Sequence, residues 1–202
     1  MTMVDQLHNQ FKKKIAVSGT ALSAGPFPPD MLQKAYAIGA AIAKAGAITL
    51  TGATTGAPQW AAKGAHEAGG FVIGLSPALD IRHHVHTYGL PTDFHDIIFY
   101  TGAGYAIRDL LLTRAGDGLV SISGRMGSMN EFTDAFQDKR PQGVLLHTGG
   151  IADELKSIVD KTNPGYTTLV FEEDPEVLVA KVLELIARQD EQLAVPPSKY
   201  DI

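Results

Sequence analysis

Short apolar runs alternate along the chain with longer segments whose apolar positions recur at helical spacing. Ile15-Ala16-Val17 leads into Ser18-Gly19-Thr20 and reads as a buried strand entering a glycine turn. Pro26, Pro28 and Pro29 then forbid regular structure as far as Asp30. Asp30 is a suitable N-cap for a helix over 31–45, in which Leu32, Ala35, Tyr36, Ile38 and Ile42 fall at helical spacing. Gly39 in its middle costs ~1 kcal/mol against alanine, which close packing on a sheet would offset. The alternation repeats with a strand over 47–51, the turn Gly52-Ala53-Thr54-Thr55-Gly56, a helix over 57–68 and a strand over 71–75. Pro58 is tolerated in the first turn of that helix, and Gly69-Gly70 end it. A polar stretch, 76–95, reads as irregular. Strands follow at 97–100, 119–122, 144–146 and 168–171, with helices at 105–115, 126–137, 151–162 and 175–188. Residues 1–12 and 195–202 read as peripheral tails.

Apolar strands alternating with helices of this length predict an α/β fold: a single-domain, doubly wound parallel sheet of Rossmann-like type, covered on both faces. Hydrophobic residues make up 45% of the 202 positions, enough for one core and too many for a disordered chain. The formal net charge of -5 argues against a non-specific nucleic-acid partner, which needs clustered lysine and arginine. Cysteine is absent, which removes disulfides, thiolate catalysis and Cys-bound zinc. No apolar run approaches the ~18 residues needed to span a bilayer, and the polar N-terminus does not resemble a signal peptide. The expectation is a cytoplasmic protein without a membrane partner. Charged residues, at 19%, fall below the usual ~25%, so part of the surface is expected to be buried against another subunit.

Ligands of such folds bind outside the carboxyl ends of the strands. The glycines gather there: Gly19, Gly52, Gly56, Gly102, Gly104, Gly124 and Gly127. Glycine is also common in any short strand-to-helix turn, but several such turns along one sheet edge point to a phosphorylated ligand, drawn by backbone N–H groups and helix dipoles. The triphosphate-binding loop G-x-x-x-x-G-K-[ST] is missing. Gly102-Ala103-Gly104 falls short of a dinucleotide fingerprint, because Ile107 holds its third glycine position. The most informative segment is Ser123-Gly124-Arg125-Met126-Gly127-Ser128-Met129-Asn130-Glu131. A buried strand runs into it and a helix leaves it. Gly124 and Gly127 let the backbone wrap a phosphate, Ser128 adds a hydroxyl, and Glu131 places a carboxylate one turn inside the helix. Glu131 as a plain first-turn acid complementing the dipole is the competing reading.

This segment resembles the P-G-G-x-G-T-x-x-E signature of the LOG (Lonely guy) family, nucleoside 5′-monophosphate phosphoribohydrolases also described as lysine decarboxylase-like. IAVSGTAL resembles the family's first strand and turn, and TGATTGAPQWAAKGAHEAGGFVIGLSP its second glycine-rich segment. Arg108 stands fifteen positions before Ser123, where the family carries an arginine. The resemblance covers roughly residues 14–150. Departures are Ser123 for the proline, Arg125 for the second glycine and Ser128 for the threonine, with Thr51 and Ala53 in place of glycines and Pro58 and Gln59 in place of Met-Gly. They point to a divergent branch, such as the molybdenum-cofactor carrier-like proteins of the same fold.

The resemblance implies that Glu131 and Arg108 are catalytic. Glu131 would stabilise an oxocarbenium-like state at the ribose C1′ and orient water, and Arg108 would steady the leaving base or clamp the 5′-phosphate. Gly19, Thr20, Gly52, Thr55, Gly56, Gly124, Arg125, Met126, Gly127 and Ser128 would bind substrate and phosphate. A free base and ribose 5-phosphate would leave, with no metal or organic cofactor required. Arg108 has a purely structural alternative, a salt bridge with Asp109, with Asp134 or across a subunit boundary. Arg114, near the helix end, competes less well. Turnover-free binding of a nucleotide or nucleotide-like cofactor is the alternative function. A lysine decarboxylase would need a Schiff-base lysine, and the glycine turns hold none. His83, His84, His86 and His95 match no standard metal pattern and read as part of a loop over the site or a subunit contact. Tyr36 and Trp60 read as core residues. The family relationship further implies a homodimer.

Overall fold

The computed structural model describes residues 11–22 and 27–193. The predicted tails fall largely outside these residues, as does Pro26. Seven strands form one sheet: β1 (Lys14–Gly19), β2 (Ile48–Thr51), β3 (Val72–Ser76), β4 (Ile97–Tyr100), β5 (Gly118–Ile122), β6 (Gln142–Leu145) and β7 (Leu169–Glu172). All neighbours are parallel, in the spatial order β4-β3-β2-β1-β5-β6-β7. Among the described residues five α-helices run between strands, α1 (Met31–Lys44), α2 (Ala57–Glu67), α3 (Gly104–Ala115), α4 (Met126–Gln137) and α5 (Ala152–Thr162), and α6 (Pro175–Leu193) follows β7. The chain winds outward from β1 through β4, crosses back, and lays β5 on the other side of β1.

Period-two alternation places successive side chains on opposite faces. Ile15 and Val17 of β1 join Ile38, Ile42, Val120, Leu178 and Val182 in the core under α1, α2 and α6. Ala16 faces the other way, with Leu50, Leu112, Leu119 and Ala135. Both faces are therefore buried, which is why the strands read as continuous apolar runs.

Four expectations need correction. Asp30 stands at the N-cap of α1 but makes no capping bond; its carboxylate pairs with Lys34 at 3.0 Å instead. Gly39 packs on a helix, not on the sheet: a Cβ there would meet the Ala61 carbonyl oxygen of α2 at 1.8 Å, and one on Gly64 would meet the Tyr36 carbonyl oxygen at 2.0 Å. The polar stretch 76–95 is partly regular, with a π-helical turn at His83–Thr87. Helix α6 continues beyond residue 188, held by the Lys13–Asp190 ion pair at 2.5 Å and by Gln189 donating to the Lys139 carbonyl at 3.1 Å.

Candidate functional site

Adjacent strands whose connections leave in opposite directions open a crevice at their carboxyl ends. In this chain those strands are β1 and β5, paired from Ile15↔Gly118 to Gly19↔Ile122. A cavity of about 290 Å³ opens there. Ser18, Gly19 and Thr20 close it at the end of β1, and Gly52 and Thr54 after β2. Helix α3 contributes Tyr105, Arg108 and Asp109; the segment after β5 contributes Arg125, Gly127, Ser128 and Glu131.

Eight of the sequence-predicted positions thus line one cavity: Gly19, Thr20, Gly52, Arg108, Arg125, Gly127, Ser128 and Glu131. Four do not. Gly56 begins α2 at φ 80, and a Cβ there would lie 2.1 Å from the Thr20 carbonyl oxygen, so it supports the loop after β1 from behind. Thr55 accepts the Leu22 N–H at 3.4 Å. The Gly124 carbonyl accepts the Ile151 N–H at 3.0 Å, and the Met126 side chain is exposed. Sequence reasoning missed Ser18, Thr54, Tyr105 and Asp109 as lining residues. Tyr105 and Asp109 were detectable, because Tyr105 stands three before Arg108 and Asp109 four after Tyr105 on the same helix.

Three charged side chains in the cavity lining are almost fully buried. Arg108, Asp109 and Glu131 are 5%, 6% and 6% exposed. Arg108 Nε lies 3.1 Å from Asp109 Oδ1. The angle is not that of a hydrogen bond, which leaves the Nε–H buried without a hydrogen-bond partner. Arg108 therefore carries both of its readings, salt bridge and cavity cation. Its guanidinium carbon sits 5.6 Å from the Tyr105 ring centroid, within cation–π range. Gly52 makes room for it, since a Cβ there would fall 1.5 Å from Arg108 Nη1. Glu131 accepts a hydrogen bond from the Ser18 hydroxyl. Its carboxyl is pushed up to about 8, chiefly by burial, with the Asp109 charge adding and Arg108 opposing. Asp109 is likewise raised by burial, against the pull of Arg108. Burial also raises the Tyr105 phenol.

The histidines do not form a loop over this cavity. None of His83, His84, His86 and His95 lines it. His84 is fully buried, with Nδ1 2.8 Å from the Ser76 hydroxyl and Nε2 2.9 Å from the Pro91 carbonyl oxygen. His95 Nε2 lies 2.7 Å from the Thr51 hydroxyl, and burial lowers its pKa. These rings fasten residues 76–95 to the ends of β2 and β3. Among the described residues, no three His, Asp or Glu side chains gather as a metal site. Nor is any helix among them long and apolar enough to cross a membrane.

Residues 12–179 match the SLOG cluster4 family. The chain belongs to this family. A solved relative is the molybdenum cofactor carrier protein of Chlamydomonas reinhardtii, 29% identical, with a TM-score of 0.71 over 88% of this chain and 99% of that one. Another is the molybdenum cofactor binding protein of Rippkaea orientalis, 26% identical, with a TM-score of 0.70 over 90% and 99%. An uncharacterised protein of Archaeoglobus fulgidus is 29% identical over 117 residues, 58% of this chain and 72% of its own length. The SLOG assignment agrees with the LOG-like resemblance in the sequence, and these two solved relatives share the doubly wound parallel fold. Chemically, the cavity presents a buried guanidinium, a second arginine and two carboxyls.

Proposed function

We propose that the cavity binds a nucleoside 5′-monophosphate and hydrolyses its N-glycosidic bond, releasing a free base and ribose 5-phosphate. One observation carries this reading: Arg108 of α3 and Glu131 of α4 meet in a single cavity at the sheet's switch point. The glycine-lined strand ends hold the phosphate, and that binding energy positions the ribose. The Glu131 side meets the positive charge that develops at C1′, while water adds its hydroxyl there and its remaining proton leaves on the base. Arg108 stabilises the departing base or clamps the phosphate through its free Nε–H. No resident metal or organic cofactor enters this scheme.

A second reading is favoured by the likeness to the two molybdenum-cofactor proteins and by Arg125 in the cavity lining. Here the same cavity holds a nucleotide or nucleotide-like cofactor without turnover. Incubation with a panel of nucleoside monophosphates, read out as free base, separates the two. Turnover that falls at least a hundredfold in Glu131→Gln, with binding retained, supports the hydrolase. Tight binding without released base supports the carrier.

The reading extends to a cytoplasmic homodimer. Tyr105, Ile107 and Leu111 of α3 and Ile97 and Phe99 of the edge strand β4 are large, apolar and exposed, as expected of a face covered by a second copy.

A further inference from the structure

The turn after β2 brings two things to the cavity: Gly52 and Thr54 in its lining, and the surface on which the Arg108 guanidinium rests. Its shape is unfavourable in isolation, because Ala53 holds a left-handed φ of 49 although it carries a Cβ. Something must hold it there. Thr51, fully buried at the end of β2, accepts the Ala53 N–H on its hydroxyl oxygen at 3.0 Å. That hydroxyl lies 2.7 Å from His95 Nε2, and His95 Nδ1 lies 2.8 Å from the Asp93 carbonyl oxygen. A carbonyl oxygen only accepts, so Nδ1 carries the ring proton and Nε2 is bare. Thr51 therefore donates its hydroxyl hydrogen to Nε2 while it accepts from Ala53, and every group in the relay has a partner. Burial lowers the pKa of His95, which favours this form at neutral pH.

We propose that His95, which lies outside the cavity, is a positioning residue of the site: through Thr51 it fixes the turn on which Arg108 is seated. The inference rests on the proposed reading of the cavity as a nucleotide site. The ring is packed into place as well as bonded. A Cβ on Gly74 of β3 would meet both the Ala53 Cβ and His95 Cδ2 at 2.9 Å, so the glycine leaves room for the two to lie against the sheet. A similar clamp closes β3, where the Ser76 hydroxyl accepts the Ala78 N–H at 3.0 Å and lies 2.8 Å from His84 Nδ1. Neither Ser76 nor Ala78 lines the cavity, whereas Gly52 and Thr54 do. The clamp at β2 is thus the one that reaches the site. A Cβ on Gly52 would fall 1.5 Å from Arg108 Nη1, so a small change in the turn alters where the guanidinium lies. When the turn relaxes, the buried and unpartnered Arg108 Nε–H leaves the position from which it serves a ligand.

Nitrogen NMR of the histidine rings in the ligand-free protein tests the relay, with His95 identified by its loss in His95→Gln. A protonated Nδ1 and a bare Nε2 near neutral pH support it; the opposite tautomer or a doubly protonated ring overturns it. The Arg108 Nε–H resonance, identified by its loss in Arg108→Lys, reports the seat. It is expected to move in His95→Leu and in Thr51→Val, which remove the two halves of the relay. It is expected to return in His95→Gln, which offers an acceptor near the place of Nε2, and in Thr51→Ser, which restores the hydroxyl. Calorimetric titration with adenosine 5′-monophosphate is expected to follow the same pattern. Affinity falls roughly five- to tenfold in His95→Leu and Thr51→Val, the effect of one lost hydrogen bond, and stays within about twofold of the wild type in His95→Gln and Thr51→Ser. An equal loss in all four variants shows a packing role and overturns the proposal. Unchanged affinity in both His95→Leu and Thr51→Val overturns it too, whatever the Arg108 resonance does. If the wild type does not bind the probe, the nucleotide reading of the cavity fails, and the tautomer and the Arg108 resonance then decide the role of His95 by themselves. Should His95→Leu not fold, the Thr51 pair carries the test, since valine keeps the shape of threonine and removes only its hydroxyl.

Discussion

At the scale of single residues, the departures from the LOG signature are conformational as much as chemical. Ser123 stands where the signature has proline, and its φ is 54, an angle the fixed proline ring cannot adopt. Ala53 replaces a glycine yet keeps a left-handed φ of 49, at a cost of ~1–2 kcal/mol for a residue with a Cβ. Neither fact was legible from residue type, because a sequence names side chains and not the backbone angles they must take. Gly52 shows the converse. Its place in a glycine turn was plain, but what it makes room for is the Arg108 guanidinium, fifty-six positions along the chain. Gly52→Ala is therefore expected to push Arg108 out of place and to weaken nucleotide binding tenfold or more, since a hydrogen bond to a charged group is worth about 1.5–3 kcal/mol. Calorimetric titration with the secondary structure checked by circular dichroism measures this. Unchanged affinity would show that Arg108 does not hold the ligand from that position.

Among the elements, the strands and helices were legible because the two periodicities differ so clearly on a sheet buried on both faces. Their order placed Arg108 and Glu131 on neighbouring helices, and the crevice followed from it. Segment 76–95 was not legible. Single side-chain bonds fasten it, His84 to Ser76 and Pro91 within the segment and His95 to Thr51 beyond it, and no periodicity announces such bonds. Gly39 was noticed, but its partner was misjudged: a helix glycine permits close approach to any backbone, and here that backbone is α2. Gly39→Ala is expected to destabilise the fold by about 1–3 kcal/mol, towards the upper end because the obstacle is a main-chain carbonyl that cannot swing aside. Urea denaturation, read as a lowered midpoint at constant slope, checks it.

For the whole molecule, the low share of charged residues hinted that some surface is covered, without saying which. Among the exposed apolar side chains, five lie on α3 and on the edge strand β4, with Ile107 at 55% and Phe99 at 56% exposed. Ile107→Asp is expected to convert a dimer to a monomer, as measured by sedimentation velocity, with the circular dichroism spectrum retained. A monomeric wild type would remove the reason for that expectation.

Strand β1 has a consequence for how the chain matures. It sits at the middle of the sheet, yet one of its two neighbours, β5, lies about a hundred positions further on. During synthesis β1 has one edge open until β5, about a hundred residues later, has left the ribosome. The candidate crevice lies along that seam, so it cannot exist before β5 has joined β1, although β6 and β7 have still to be added.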